Sequence, residues 1–191
     1  MKFNIFNFNS VTSTNDVAIN LIKNKNKEIG FVHAKKQTKG RGTHGKKWIS
    51  MEGNLFGSIF FPLKKNYPPF NEFSIINPVI ISNILKHFCK ENITIKWPND
   101  ILINKKKVCG ILQELITFKK KKFLIIGFGV NTISNPKIKD KYKATNIFLE
   151  AKQKPKSNEM IKIIIISYET FFADLDNYSF INFKKKSGLL S

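Results

Sequence analysis

Arginine is almost missing from this chain: of 33 lysines and arginines in 191 residues, Arg41 alone is arginine. Where lysine serves everywhere else, a single guanidinium marks a place that needs a planar, permanently charged fork of donors able to hold an anion at two points. Cysteine is scarce too, with only Cys89 and Cys109, which excludes a disulfide framework and a metal-ligand spacing. Both cysteines read as small buried hydrophobes. A nucleophilic role for Cys109 finds no histidine or lysine pairing in the sequence. No apolar run is long enough to span a bilayer, and Met1 to Asn9 alternates apolar and polar instead of forming a signal peptide's apolar segment. The expectation is a soluble, cytoplasmic protein with no membrane partner.

Acidic residues are also few, 13 Asp and Glu, so the formal net charge is +20. Such a charge attracts nucleic acid, anionic membranes or acidic protein surfaces. The lysines, however, are scattered over residues 23–27, 64–65, 105–107, 119–122, 137–143 and 184–186, as turns and solvated faces would be. With abundant Asn, Ile and Phe, that scatter suggests a biased composition, not a specific nucleic-acid partner. At 191 residues and 42% hydrophobic content, the chain can bury one substantial core, which predicts one domain.

Phe3 to Phe8 alternates like a half-buried strand. Ser13-Thr14-Asn15-Asp16 offers N-cap chemistry to a helix through Val17, Ile19, Leu21 and Ile22. Strands are expected at 30–34 and 54–61, then a long helix from Pro68-Pro69 through Cys89. Residues 93–97, 101–104, 108–116 and 123–131, rich in branched and aromatic side chains and separated by lysine turns, predict a meander. Ser157 is expected to cap an apolar helix over 159–172, after a long irregular stretch from Ser134 to Lys156. The predicted class is α+β, a mixed and largely antiparallel sheet with helices packed on one face.

The scarce residues share a few short motifs. Lys39-Gly40-Arg41-Gly42-Thr43-His44-Gly45-Lys46-Lys47-Trp48 could cradle phosphates on its backbone N–H groups, with Arg41, Lys46 and Lys47 neutralising charge. It is neither a Walker A loop nor the dinucleotide fingerprint, and a solvated basic hairpin is the alternative. Lys96-Trp97-Pro98-Asn99-Asp100 is a rigid turn that either presents an indole and a carboxylate to a cleft or simply packs the indole. Gly127-Phe128-Gly129-Val130-Asn131 ends a strand with two glycines and an amide, as a bulge also would.

In this order, with Ser13-Thr14-Asn15, Gln37, Asn54-Leu55 and Lys107 with Gly110-Ile111-Leu112, the motifs resemble the catalytic domain of biotin protein ligases over nearly the whole chain. That resemblance implies an ATP-dependent ligase that makes biotinyl-5'-AMP from biotin and MgATP and passes biotin to a lysine of a biotin carboxyl carrier protein. It implies biotin contacts from Ser13, Thr14, Asn15, Gln37, Arg41, Gly42, Thr43 and Lys107. It implies nucleotide contacts from Gly40, Arg41, Gly42, Lys46, Trp48, Lys96, Asn99 and Asn131. Lys107, Arg41 and Asp100 are the implied catalytic residues, with Asp100 holding Mg²⁺.

The chain departs from the family pattern at Thr43, where a second arginine is common, which implies weaker retention of the adenylate. It reads as a catalytic domain over 1–183 and a short basic tail, 184–191, where a β-barrel domain would begin, without an N-terminal DNA-binding domain. Lipoate and octanoate ligases are the enzymatic rival, but an apolar acyl chain does not need the polar set Ser13, Thr14, Asn15 and Gln37. A non-catalytic basic nucleic-acid-binding domain is the rival of another class.

Overall fold

The computed structural model describes residues 1–137 and 143–190. Its strands are β1 (Asn4–Val11), β2 (Gly30–Gln37), β3 (Leu55–Pro62), β4 (Ile93–Lys96), β5 (Asp100–Ile103), β6 (Lys106–Phe118) and β7 (Lys121–Val130). Its α-helices are α1 (Thr14–Lys25), α2 (Phe73–Lys86), α3 (Ile147–Ala151), α4 (Ser157–Ala173) and α5 (Phe180–Lys186). The strands form one sheet in the order β1-β2-β3-β7-β6-β5-β4. Only β1 and β2 are parallel, and every other pair is antiparallel. A parallel pair cannot be closed by a tight turn and needs a crossover, which α1 supplies.

Alternation along the central strands sends side chains to two separate cores. On one face Phe31, Ile59, Phe61, Leu124, Ile126 and Phe128 pack with α2 and α4 through residues such as Ile76, Ile84, Met160, Ile164 and Tyr168. On the other, Val32, Phe60, Phe123 and Ile125 pack against Ala18, Leu21 and Ile22 of α1. The mixed, mostly antiparallel sheet is as expected, but the helices are not confined to one face. The two-sided cover is written in β3, where all eight residues are buried, the near-continuous apolar run of a strand covered on both sides.

That division positions the site. A buried polar chain, in which Tyr168 donates to Asn77 Oδ1 (3.0 Å) and Asn77 to Gln113 Oε1 (2.8 Å), ties β6 to α2 and α4 on the core face. Gly110, Leu112 and Glu114 of β6, with Gly127 and Gly129 of β7, therefore point the other way. Past the N-terminus of α1, that face is left open as a cavity.

Several boundaries differ from those expected. The helix after Pro68-Pro69 begins at Phe73 and ends at Lys86, so Cys89 lies beyond it. Lys156, not Ser157, is the N-cap of α4, and Ser13 sits at the N-cap of α1 without a side-chain capping bond. The stretch expected to be irregular contains α3, capped by Asn146, whose side chain accepts from the Leu149 N–H at 2.8 Å. Residues 138–142 of that stretch lie outside the described residues. Lys184 to Lys186, read as tail, form the last turn of α5.

Candidate functional site

The cavity on the α1 face has a volume of about 330 Å³. One end is polar and buried. Ser13, Thr14 and Asn15 are each less than 5% exposed because the β1–α1 junction turns them inward. Gln37 Oε1 accepts from the Thr14 backbone N–H (2.8 Å) and hydroxyl (3.1 Å), while Gln37 Nε2 donates to Ser50 Oγ (3.0 Å). Ser58 Oγ lies 2.8 Å from Thr14 Oγ1 and 2.5 Å from Asn15 Oδ1, and its single proton serves one of them at a time. Asn15 Nδ2 donates to Glu114 Oε2 at 2.6 Å. Gly127 is obligatory beneath this amide, because a Cβ there would collide with Asn15 Oδ1. The result is a pre-ordered row of donors and acceptors, the sort of wall that recognises a polar head group.

The glycine segment folds as a tight hairpin over the cavity. The Gly42 N–H donates to Lys46 O (2.7 Å), the Lys46 N–H to Thr43 O (3.1 Å) and the Trp48 N–H to Gly40 O (2.9 Å). Those three N–H groups, expected to cradle phosphates, are thus spent inside the hairpin. Its tip is turned by His44 (φ 55°) and Gly45 (φ 72°), both left-handed. Gly40 does not line the cavity. A Cβ on it would sit 2.6 Å from Trp48 O and 2.9 Å from Ser50 Oγ, so it allows the two arms to close.

Arg41 uses its fork on the chain's own carboxylates. Nη1 and Nη2 meet Glu114 Oε1 and Oε2 at 2.8 and 2.7 Å, and Nη2 also lies 2.8 Å from Asp16 Oδ1. The bidentate bond to Glu114, then the charges of both carboxylates, outweigh desolvation and raise the arginine's pKa further.

At the other end of the cavity, Lys107 holds its ammonium 2.8 Å from Asp100 Oδ1 and 5.5 Å from the centre of a Trp48 ring. The indole lies over Gly110 and Gly129, where a Cβ would enter the ring. Trp48 Nε1 and Asn131 Oδ1 are buried without hydrogen-bond partners, leaving one donor and one acceptor for a ligand. Asn131 is held by its own Nδ2, which donates to Thr145 O at 3.0 Å. Behind it, Asn54 Oδ1 accepts from the N–H groups of Thr132, Ile133 and Ser134 at 2.9–3.2 Å. Asn99 Nδ2 reaches Thr43 Oγ1 at 3.4 Å, a weak tie between hairpin and turn.

Of the residues singled out from sequence, Ser13, Thr14, Asn15, Gln37, Arg41, Gly42, Thr43, Lys46, Trp48, Asn99, Lys107 and Asn131 line the cavity, whereas Gly40, Lys96 and Asp100 do not. Asp100 stands directly behind Lys107. No cluster of three or more His, Cys, Asp or Glu side chains that could cage a metal occurs among the described residues. Magnesium, though, is often held by one or two carboxylates plus substrate phosphates. Asp100, outside the cavity lining with its buried Oδ1 against the Lys107 ammonium, would have to exchange that partner to take part in this mode. Cys109 faces the α2–α4 core with no exposure, and burial pushes its thiol far up, so it is no nucleophile.

Sequence reasoning missed Ser58, Glu114 and Asp16. Ser58 had a signal, a lone hydroxyl in an otherwise apolar strand. Glu114 had only its place in a strand that faces Arg41 across 73 residues.

A model described as the biotin/lipoate A/B protein ligase family matches residues 7–131. The bifunctional ligase/repressor BirA of Bacillus subtilis is 32% identical over 183 residues, which cover 91% of this chain and 55% of that protein. The biotin–[acetyl-CoA-carboxylase] ligase of Paracoccus denitrificans is 30% identical over 109 residues, 56% of this chain and 45% of that protein. The chain thus spans about half the length of the curated relatives it matches. Among solved structures, biotin protein ligase from Aquifex aeolicus in complex with biotin and ATP aligns with a TM-score of 0.79 at 28% identity, covering 96% of this chain and 76% of that one. The Leishmania major biotin protein ligase in complex with biotinyl-5-AMP aligns at 0.78 and 26% identity, covering 97% and 80%.

Proposed function

The chain belongs to the biotin/lipoate A/B protein ligase family, and from that premise we propose that it activates biotin with ATP and transfers it to a lysine of a biotin carboxyl carrier protein. The observation that carries this reading is the polarity of the cavity. A buried row of hydrogen-bonding groups around Thr14, Asn15 and Gln37 faces one end and the Lys107 ammonium the other. Biotin has the matching shape, with a ureido ring of one acceptor and two donors, an apolar chain and a terminal carboxylate. Leu112, on the cavity face of β6, adds an apolar side chain to the lining.

In the first step a biotin carboxylate oxygen attacks the α-phosphorus of ATP, the bond to the β-phosphate breaks and pyrophosphate leaves. Lys107 meets the charge that builds on the phosphoryl oxygens, and positioned cations of this kind are worth most where water is excluded. Lys46, which lines the cavity, adds charge on the phosphate side. Trp48 Nε1 and Asn131 Oδ1 offer the donor and acceptor that an adenine edge needs. Magnesium carried by ATP would neutralise the phosphates, with Asp100 as its carboxylate ligand. In the second step a lysine amine attacks the acyl carbon, the bond to the adenylate oxygen breaks, AMP leaves and the ammonium proton passes to solvent.

No helix among the described residues is long and apolar enough to cross a membrane. A cytoplasmic location is part of the same proposal, supported by two buried, unpaired thiols. The test is biotin-dependent exchange of pyrophosphate into ATP, with lipoate in parallel and Lys107→Ala as control. Exchange with biotin that falls about 10²–10³-fold in the variant is the expected result. Exchange with lipoate alone, or with neither acid, would overturn the assignment.

A further inference from the structure

A lone arginine beside a nucleotide cavity invites the role of phosphate clamp, but its surroundings argue against it. One guanidinium faces two carboxylates, Glu114 in a bidentate pair and Asp16 at 2.8 Å. The cluster is therefore net negative and repels a triphosphate, while both terminal nitrogens of the guanidinium are already engaged. Phosphate charge is better met by Lys107 and Lys46, which line the cavity and carry no such double neutralisation.

The same carboxylate has a second duty. Glu114 Oε2 accepts both from Arg41 Nη2 (2.7 Å) and from Asn15 Nδ2 (2.6 Å). Asn15, in turn, is 2% exposed, lies against Gly127 and meets Ser58 through Oδ1. One oxygen thus joins the glycine hairpin to the polar wall of the cavity. Asp16, in the first turn of α1, adds a second anchor from the element that supplies that wall.

We propose that Glu114, with Asp16, is a positioning residue that latches the glycine hairpin through Arg41 onto the polar wall, so that Arg41 governs retention of the biotin-like head group and not of phosphate. This rests on the reading of the cavity given above and deepens it. Bidentate geometry matters here. Lysine at position 41 keeps the charge but cannot span both oxygens of Glu114 while reaching Asp16.

The experiment takes the intact chain, Glu114→Gln, Arg41→Lys and Arg41→Gln through two readouts. Amide hydrogen exchange reports the latch without any ligand. Faster exchange at the Gly42 and Lys46 N–H groups, about tenfold or more, is expected in all three variants, and unchanged exchange would overturn the latch. Biotin titration and the KM for ATP in pyrophosphate exchange report its use. The expected split is biotin binding weakened about tenfold with faster dissociation and the ATP KM within about twofold of the parent. A rise in ATP KM in Arg41→Gln that Arg41→Lys reverses would establish a phosphate clamp and sink the proposal. If Glu114→Gln does not fold, Asp16→Asn at the more exposed anchor carries the test, with a change of about threefold in the same direction. Absence of biotin binding by the parent chain would refute the function while the exchange data still decide the latch.

Discussion

Gly129 and Thr43 are the positions where one side chain says most. Gly129 leaves room for the Trp48 indole, and a Cβ there would strike the ring at Cε2 and Nε1. Gly129→Ala is expected to lift the indole off the sheet, raise the KM for ATP about tenfold and shift Trp fluorescence, with the KM for biotin changed far less. An unchanged KM for ATP would remove Trp48 from the nucleotide contacts. Thr43 lines the cavity, and its hydroxyl takes a long contact from Asn99. Thr43→Arg is expected to slow escape of the adenylate about three- to tenfold by adding a cation beside a bound anion, measured as free biotinyl-5'-AMP released per pyrophosphate formed. The rarity of arginine and tryptophan made these loops legible in the sequence. What the guanidinium would touch was not, because Glu114 and Asp16 reach Arg41 only when β6 and α1 are assembled.

Two junctions between elements depend on single polar side chains. Asn54, just before β3, takes three backbone N–H groups of the segment after β7 and returns a 2.9 Å bond to Ser134 O. Asn54→Ala leaves those buried groups unpaired and is expected to cost roughly 2–3 kcal/mol, read as a lower urea midpoint with an unchanged slope. Glu150 of α3 binds Asn104 and Lys106 at the β5–β6 turn and Thr145 beside it. Burial pushes its carboxyl up, but those hydrogen bonds and the Lys106 charge outweigh it and hold it below its ordinary value of 4.5. Glu169, half-buried at the β1 end and bonded to Lys2 and the Phe3 N–H, is likewise depressed by its partners against desolvation. For a depressed carboxyl the native state binds fewer protons than the unfolded one, so stability rises with pH through this range. The contribution is complete above the ordinary value and lost as pH falls through the folded one. Urea midpoints should therefore be level above about pH 5 and drop in acid, and Glu150→Gln should flatten that drop. A profile as steep in the variant would assign the acid sensitivity elsewhere. Strand existence was legible here from alternation and branched residues, and α3 was not, since its five residues carry too little periodicity beside a run of lysines.

For the whole molecule, the formal charge of +20 predicts a rate effect more than an affinity for any one partner. Transfer of biotin to an acidic carrier domain is expected to slow several-fold between 50 and 500 mM salt as long-range attraction is screened, while biotin-dependent pyrophosphate exchange, which involves no macromolecular encounter, changes little. Equal salt sensitivity of both steps would remove steering from the account. The sequence by itself determined the α+β class and the family, because periodicity, scarce residues and the order of short motifs are properties of a linear chain; the one core expected from length and hydrophobic content is instead divided by the sheet into two. Only the tertiary structure decided that α1 lies on the face opposite α2 and α4, that Ser58 and Glu114 brace the Thr14, Asn15 and Arg41 side chains of the cavity wall, and that Arg41 is held by carboxylates. Each of those is a contact between segments tens of residues apart, and such contacts exist only when the sheet register sets which side chains share a face.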